Sequence, residues 1–258
     1  MNMLRRLLSK TWLCTVALLV LAAAGIAACT SVASVQVLSA VQVDSLRMQA
    51  DAGRDDTALT QLRSAARWGN VHAQRALGTT LLNRATDLNM ASEGLQSLGK
   101  AANANDVDAQ LLLGKTYLQG TIFIKPDYAL ARQWLGKAVA QQDKRAAYYL
   151  GLMDLSGYGG PIDHSASVRW LQTSADAGLP NAMFLLGNAY AAGKGAPQDR
   201  RSALHWYMRA AALEHPLALQ EIAYAFQNGN SGLPRSEFQA SQMMRGVDHA
   251  LRHVKAAP

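Results

Sequence analysis

Along most of the chain, apolar residues recur at spacings of three and four, and the segments carrying this pattern are separated by short stretches of glycine, proline and aspartate. In NAMFLLGNAYAA, 181–192, the residues Ala182, Leu185, Leu186 and Tyr190 fall on one side of a helix. Gly193 stands where a left-handed C-terminal cap belongs, and Pro197 cannot continue the helix. Asp199 is placed to accept N–H bonds from the first turn of a second helix, where the dipole also favours it. RSALHWYMRAAAL, 201–213, supplies that helix, with Leu204, Tyr207, Met208 and Ala211 on a shared face. The local pattern is a helical hairpin.

The hairpin recurs. Leu77-Gly78, Leu113-Gly114, Leu150-Gly151, Leu186-Gly187 and Ile222-Ala223 follow one another at steps of 36, 37, 36 and 36, each with an alanine five residues earlier. A glycine in mid-helix costs about 1 kcal/mol in propensity, so its recurrence points to close approach of a neighbouring helix. Six residues after it come Gly120, Gly157, Gly193 and Gly229, with Arg84 in the first unit instead. A second ladder runs through Leu62, Leu98, Trp134, Trp170 and Trp206 at steps of 36, with Asp127, Asp163 and Asp199 seven residues before each tryptophan and Asp55 seven before Leu62. Small residues follow four later: Ala66, Ala102, Ala138, Ser174 and Ala210. The one extra residue of the 37-step lies in GTIFIKPD, 120–127. In ATDLNMASEG, 85–94, the glycine turn and the cap are missing, and Gln242-Met243 stand where the tryptophan ladder would continue.

This periodicity decides how Gly193-Lys194-Gly195 is read. Taken alone, such a stretch suggests a phosphate cradle. The equivalent loops GTIFIKPD and GYGGPIDH lack the lysine and no strand precedes them, so the stretch is a connecting turn. The three aspartates, a full repeat apart, are caps and not the close carboxylate pair of acid–base chemistry.

A unit of Ala…Leu-Gly…Tyr…Gly-x-Gly…Asp…Ala…Trp…Ala-Ala resembles the Sel-one-like repeats, a branch of the tetratricopeptide solenoids, over about residues 55–246. The resemblance implies an all-α, right-handed α-solenoid of antiparallel helix pairs whose concave surface binds proteins, without catalysis. The units expected are roughly 44–70, 71–106, 107–143, 144–179, 180–215 and 216–255, within a repeat domain of 44–258. Irregular end units are expected, because terminal repeats cap the stack against water.

Ahead of the repeats the pattern changes. Arg5, Arg6 and Lys10 precede an uncharged run from Thr11 to Ala28, the layout of a secretory signal. Ile26-Ala27-Ala28-Cys29 resembles the lipobox of bacterial lipoproteins, which implies a signal peptide of 1–28, lipidation of Cys29 and a tether of 29–43. Thr30 in place of aspartate implies, by the sorting rule of enteric-type bacteria, the periplasmic side of the outer membrane. Cys14 leaves with the signal, so no thiol remains for a disulfide or for nucleophilic chemistry. The net charge of +7 falls to about +4 without the three signal cations, and no basic run points to nucleic acid.

No cofactor, metal or catalytic constellation emerges. Gly229-Asn230-Ser231-Gly232-Leu233 stops short of a nucleophile elbow. His249 and His253 share a helical face with only Asp248 beside them, a solvated pair. The tryptophan ladder reads as core. Residues that vary between units on the first helices, Tyr148, Tyr149 and Phe184, are the candidate partner-binding surface. The expected function is a non-catalytic periplasmic scaffold, lipid-anchored to the outer membrane, that docks proteins of an envelope or export complex. A narrower resemblance, to scaffold lipoproteins of alginate-type exopolysaccharide export, rests on lipobox, tether and repeats together with AQLLLGKTYLQG and APQDRRSALHW. The alternatives are an enzyme or inhibitor of cell-wall metabolism and a surface-exposed factor that binds host proteins.

Overall fold

The structure, a computed structural model, describes residues 38–256 except Ser231, and of residues 253–256 the backbone alone. The segment 1–37, with the expected signal peptide and Cys29, lies outside the described residues. Every described element is a helix: α1 (Ala40–Ala52), α2 (Asp56–Arg67), α3 (Val71–Arg84), α4 (Leu88–Asn103), α5 (Val107–Gln119), α6 (Tyr128–Ala140), α7 (Lys144–Ser156), α8 (His164–Asp176), α9 (Pro180–Ala192), α10 (Arg200–Ala211), α11 (Pro216–Asn228) and α12 (Glu237–Ala256). From α3 onward, each odd-numbered helix packs on the even-numbered helix that follows it, and the pairs pile up in chain order. Ser39 caps α1 in a reciprocal box with Gln42, so the first helix starts inside the segment expected as tether.

The glycine ladder is the crossing point of each hairpin. A Cβ on Gly78 would lie 2.8 Å from both the Gly94 carbonyl oxygen and the Leu98 nitrogen. On Gly114 it would meet Leu135 at 2.5 Å, on Gly151 Leu171 at 3.0 Å, and on Gly187 Tyr207 at 2.5 Å. The partners of the glycines are therefore Leu98, Leu135, Leu171 and Tyr207, all buried. The second ladder read from the sequence is thus corrected by one residue. The insertion in 120–127 moves every later position on by one, so Leu62 and Leu98 continue into Leu135 and not into Trp134. Leu171 and Tyr207 complete the series. The slip is hidden in sequence because Trp134-Leu135 and Trp170-Leu171 are both apolar at adjacent positions. The small-residue ladder shifts likewise: Ala65, Ala101, Ala138, Ser174 and Ala210 accept, at their carbonyls, the N–H of the residue capping the next odd-numbered helix.

Trp206 is buried at 7% exposure, but Trp134 and Trp170 are only half-buried. They pack against the preceding unit, Trp134 on the cluster of Leu98, Ala109 and Leu113, and Trp170 on that of Leu111 and Leu135. Cations lie over two of the ladder tryptophans, with the Lys137 Nζ 4.1 Å from the Trp134 ring and Arg209 4.4 Å from Trp206. The tryptophans seal seams between units, and the leucines fill the hairpins. On α10 the buried set is Ala203, Trp206, Tyr207 and Ala210, while Met208, expected on that face, is exposed.

Asp127, Asp163 and Asp199 accept from the first-turn N–H groups of α6, α8 and α10. Their own N–H groups donate back to Tyr117, Asp154 and Tyr190 at the end of the preceding helix, which closes each loop. Within 193–199, Gly193 holds φ 66° as a left-handed cap. A Cβ on Gly195 would sit 2.1 Å from the His164 carbonyl oxygen, so this Gly-Lys-Gly packs against the start of α8 as a turn. The second hairpin has not lost its cap: Asp87 accepts from Met90, and α4 begins about one turn earlier than the repeat predicts. Arg84, where later units have glycine, ties this hairpin to the first one through the Ala50 carbonyl and Asp56.

Candidate functional site

The odd-numbered helices line one side of the stack. Their N-terminal caps, Asn70, Asp106, Asp143 and His215, recur at the same step as the glycines and hold each helix at a common height. Only α9 lacks a side-chain cap; it starts instead with Pro180, whose fixed φ suits the first helical position. Gln74 and Gln110, both buried, donate to the carbonyls of Ala66 and Ala102 and fix the distance to the helix behind.

Across these helices runs a groove of about 730 Å³, lined by α1, α3, α5, α7 and the start of α9. The repeat step places His72, Asp108, Arg145 and Asn181 in one row, and Arg75, Leu111 and Tyr148 in the next. Ala76, Leu112 and Tyr149 form a third row, and Thr79 and Lys115 a fourth. One end is ionic. Arg75 reaches Asp106 and Asp108, and Arg145 reaches Asp108 at 2.6 Å and also binds Asp143. Burial of Asp108 works to raise its carboxyl, but the hydrogen bond from Arg145 and the charges of Arg75 and Arg145 hold it below the ordinary range. The same contest on Asp143, with Arg145 and the first-turn amides of α7, also ends low. The Arg145 guanidinium is correspondingly raised by its bonds to Asp143 and Asp108. These charges lock three successive units in register.

The other end is aromatic and apolar. Tyr148 and Tyr149 meet edge to face with ring centroids 5.2 Å apart, and burial pushes the Tyr148 hydroxyl up against a hydrogen bond with Asn181. Lys115 lies 5.5 Å over the Tyr149 ring. The floor is Leu111, Leu112 and Leu179. A leucine floor flanked by Tyr148 and Tyr149, with Lys115 beside them and an anchored ionic wall, suits an extended peptide segment that brings apolar side chains and a carboxylate.

Of the three candidates from sequence, Tyr148 and Tyr149 come together in this groove. Phe184 does not line it: its ring stacks on His215 at 4.8 Å and tilts against Tyr207 at 5.8 Å, packed against the core of its own unit. Burial lowers the His215 imidazole, and burial with the Glu221 charge pushes Tyr207 up to about 12. The sequence reading missed the ionic wall, because Arg75, Asp108 and Arg145 come from three units and meet only in the folded stack. His249 stands 3.9 Å from Glu214, and the His253 side chain lies outside the described residues, as does Ser231. Among the described residues no three His, Cys, Asp or Glu converge as a metal site.

The family model of the Sel1 repeat matches residues 107–143, 144–179, 180–215 and 216–243, just over half of the chain. No curated protein matches. Among solved structures, a protective antigen of uropathogenic Escherichia coli with an SLR fold superposes with a TM-score of 0.70 at 22% identity, over 81% of this chain and 46% of its own. A Sel1 repeat protein from Oxalobacter formigenes superposes with a TM-score of 0.68 at 23% identity, over 81% of this chain and 85% of its own. The chain thus spans less than half of the first relative and most of the second, and both share its solenoid fold.

Proposed function

The chain belongs to the Sel1 repeat family, whose repeats are protein-interaction modules, and on that premise we propose that it is a non-catalytic scaffold of the bacterial envelope. It holds a segment of a partner protein in the groove lined by Leu111, Leu112, Tyr148 and Tyr149. A lipid on Cys29 keeps it at the periplasmic face of the outer membrane. The complex it serves is an envelope or export assembly, with exopolysaccharide export the assembly that its lipobox, tether and repeats together resemble. The observation that carries the reading is the contrast within the odd-numbered helices. Their buried positions repeat as alanine, leucine and glycine, whereas their groove positions change from unit to unit, which is the distribution a specific docking surface needs.

The test is co-purification of the full-length protein from detergent-solubilised envelopes. Tyr149→Ala is expected to lose the partner captured by the wild type while the protein remains in the outer-membrane fraction. Cys29→Ala is expected to leave that fraction. A captured partner unaffected by changes at Tyr148, Tyr149 and Leu112 contradicts the groove; a Cys29→Ala protein that stays with the membrane contradicts the anchor.

A further inference from the structure

The tight turns joining each even-numbered helix to the next odd-numbered one form one edge of the stack, and the chain enters the fold at that edge. The Asn70 side-chain amide, in the first such turn, donates to the Leu38 carbonyl at 2.9 Å. Between Cys29 and Leu38 there are nine peptide steps. Fully extended they reach about 30 Å at most, so a lipid on Cys29 keeps the turn at 68–70 near the bilayer surface.

That turn has the chemistry of a membrane interface. Trp68, the C-cap of α2, stands 69% exposed, whereas Trp134 and Trp170 are half-buried and Trp206 is buried. Around it the edge is basic: Arg67 and Lys100 end their helices, and Lys137 and Lys144 flank the turn two units on. None of these four has a carboxylate partner among the described residues. Carboxylates of the same helices and turns are engaged: Asp106 by Arg75, Asp143 by Arg145 and Glu93 by a two-point bond from Arg63. A cleft of about 210 Å³ opens between α2 and α4, with Arg67, Lys100 and Gln96 on its walls beside the Arg63–Glu93 pair. Farther along the same edge the charges are matched, with Asp176 4.0 Å from Arg209 and Glu214 3.9 Å from His249. The positive, tryptophan-bearing stretch therefore lies at the end where the chain leaves for the membrane.

We infer that the turn edge around Trp68 is a membrane-contact surface. The Trp68 indole lies among the headgroups, and Arg67 and Lys100 hold the phosphate of an anionic phospholipid across the cleft between them. The solenoid then stands edge-on to the bilayer, and the groove, on the flank of the stack, stays open to a partner. The inference rests on the reading of Cys29 as the anchor.

The full-length protein, reconstituted into phosphatidylcholine–phosphatidylglycerol vesicles containing brominated phosphatidylcholine, tests it by flotation and tryptophan emission. The emission lost in Trp68→Phe, which is the contribution of Trp68, is expected to be roughly halved by the bromolipid. That quenching is expected to disappear in Arg67→Glu/Lys100→Glu, which still floats. Protein that floats with Trp68 unquenched overturns this inference and leaves the anchor standing. Protein that does not float overturns the anchor and this inference with it. Equal quenching in vesicles of phosphatidylcholine alone overturns the role of Arg67 and Lys100.

Discussion

Helix α5 carries two faces with the same period and opposite character. Inward, Ala109, Leu113 and Gly114 repeat what α3 and α7 present at the same places, and Gly114 lets the helix close on Leu135. Outward, Asp108, Leu111, Leu112 and Lys115 match neither the His72, Arg75, Ala76 and Thr79 of α3 nor the Arg145, Tyr148 and Tyr149 of α7. Stacking identical hairpins constrains the first face in every unit, because each buried residue is also a neighbour of the next unit's. The second face is less bound by it, although Leu111 and Ala76 are themselves buried. Positions that build a solenoid are those that cannot change along it, and positions that give it a partner are those that do.

Leu135→Ala breaks the comparison most strongly. It empties the site under Gly114 in a fully buried layer and is expected to cost about 3 kcal/mol, read as a drop in the denaturant midpoint. Gly78→Ala comes next, at about 2 kcal/mol, because its Cβ meets backbone atoms at 2.8 Å that no rotamer change can move. Its counterpart Gly99→Ala, with nothing near the added Cβ, is expected to be neutral or slightly stabilising.

Phe184→Ala sharpens the boundary between the faces. Its row supplies Leu111 and Tyr148 to the groove, yet its ring is wedged between His215 and Tyr207. The expected result is a stability loss of about 1.5 kcal/mol with partner capture retained, whereas Tyr149→Ala loses capture with a smaller change in melting temperature. The smallest effect is electrostatic. Asp108 is held below its ordinary 3.8, so its ion pairs contribute stability that is complete above that value and disappears as pH falls through the lowered one. In Asp108→Asn the melting temperature at neutral pH falls slightly, and its further decline below pH 3.8 is shallower than in the wild type. The pair is part-exposed, so the difference is small and shrinks with added salt.

The repeat, the hairpin loops and the caps at Asp127, Asp163 and Asp199 were legible because each is a local requirement written into its own unit. Register across the 120–127 insertion was not, since Trp-Leu pairs offer two apolar positions and only the glycine contacts choose between them. Asp87 escaped notice because α4 is extended backwards past the expected start. The caps Asn70, Asp106, Asp143 and His215 change residue type at a fixed step, so identity alone does not reveal them. At the site, Tyr148 and Tyr149 stood out as aromatic departures from Leu111 and Leu112. Phe184 stood out for the same reason, and nothing in its own helix shows that His215, at the far end of the unit, covers it.

The account turns on the groove holding the partner, and site-specific photo-crosslinking in living cells tests that most directly. A crosslinker placed at Tyr149 is compared with one at Arg169, exposed on the second helix of the same unit. The account predicts one discrete partner band from Tyr149 and none from Arg169. The same band from Arg169 with none from Tyr149 would contradict it.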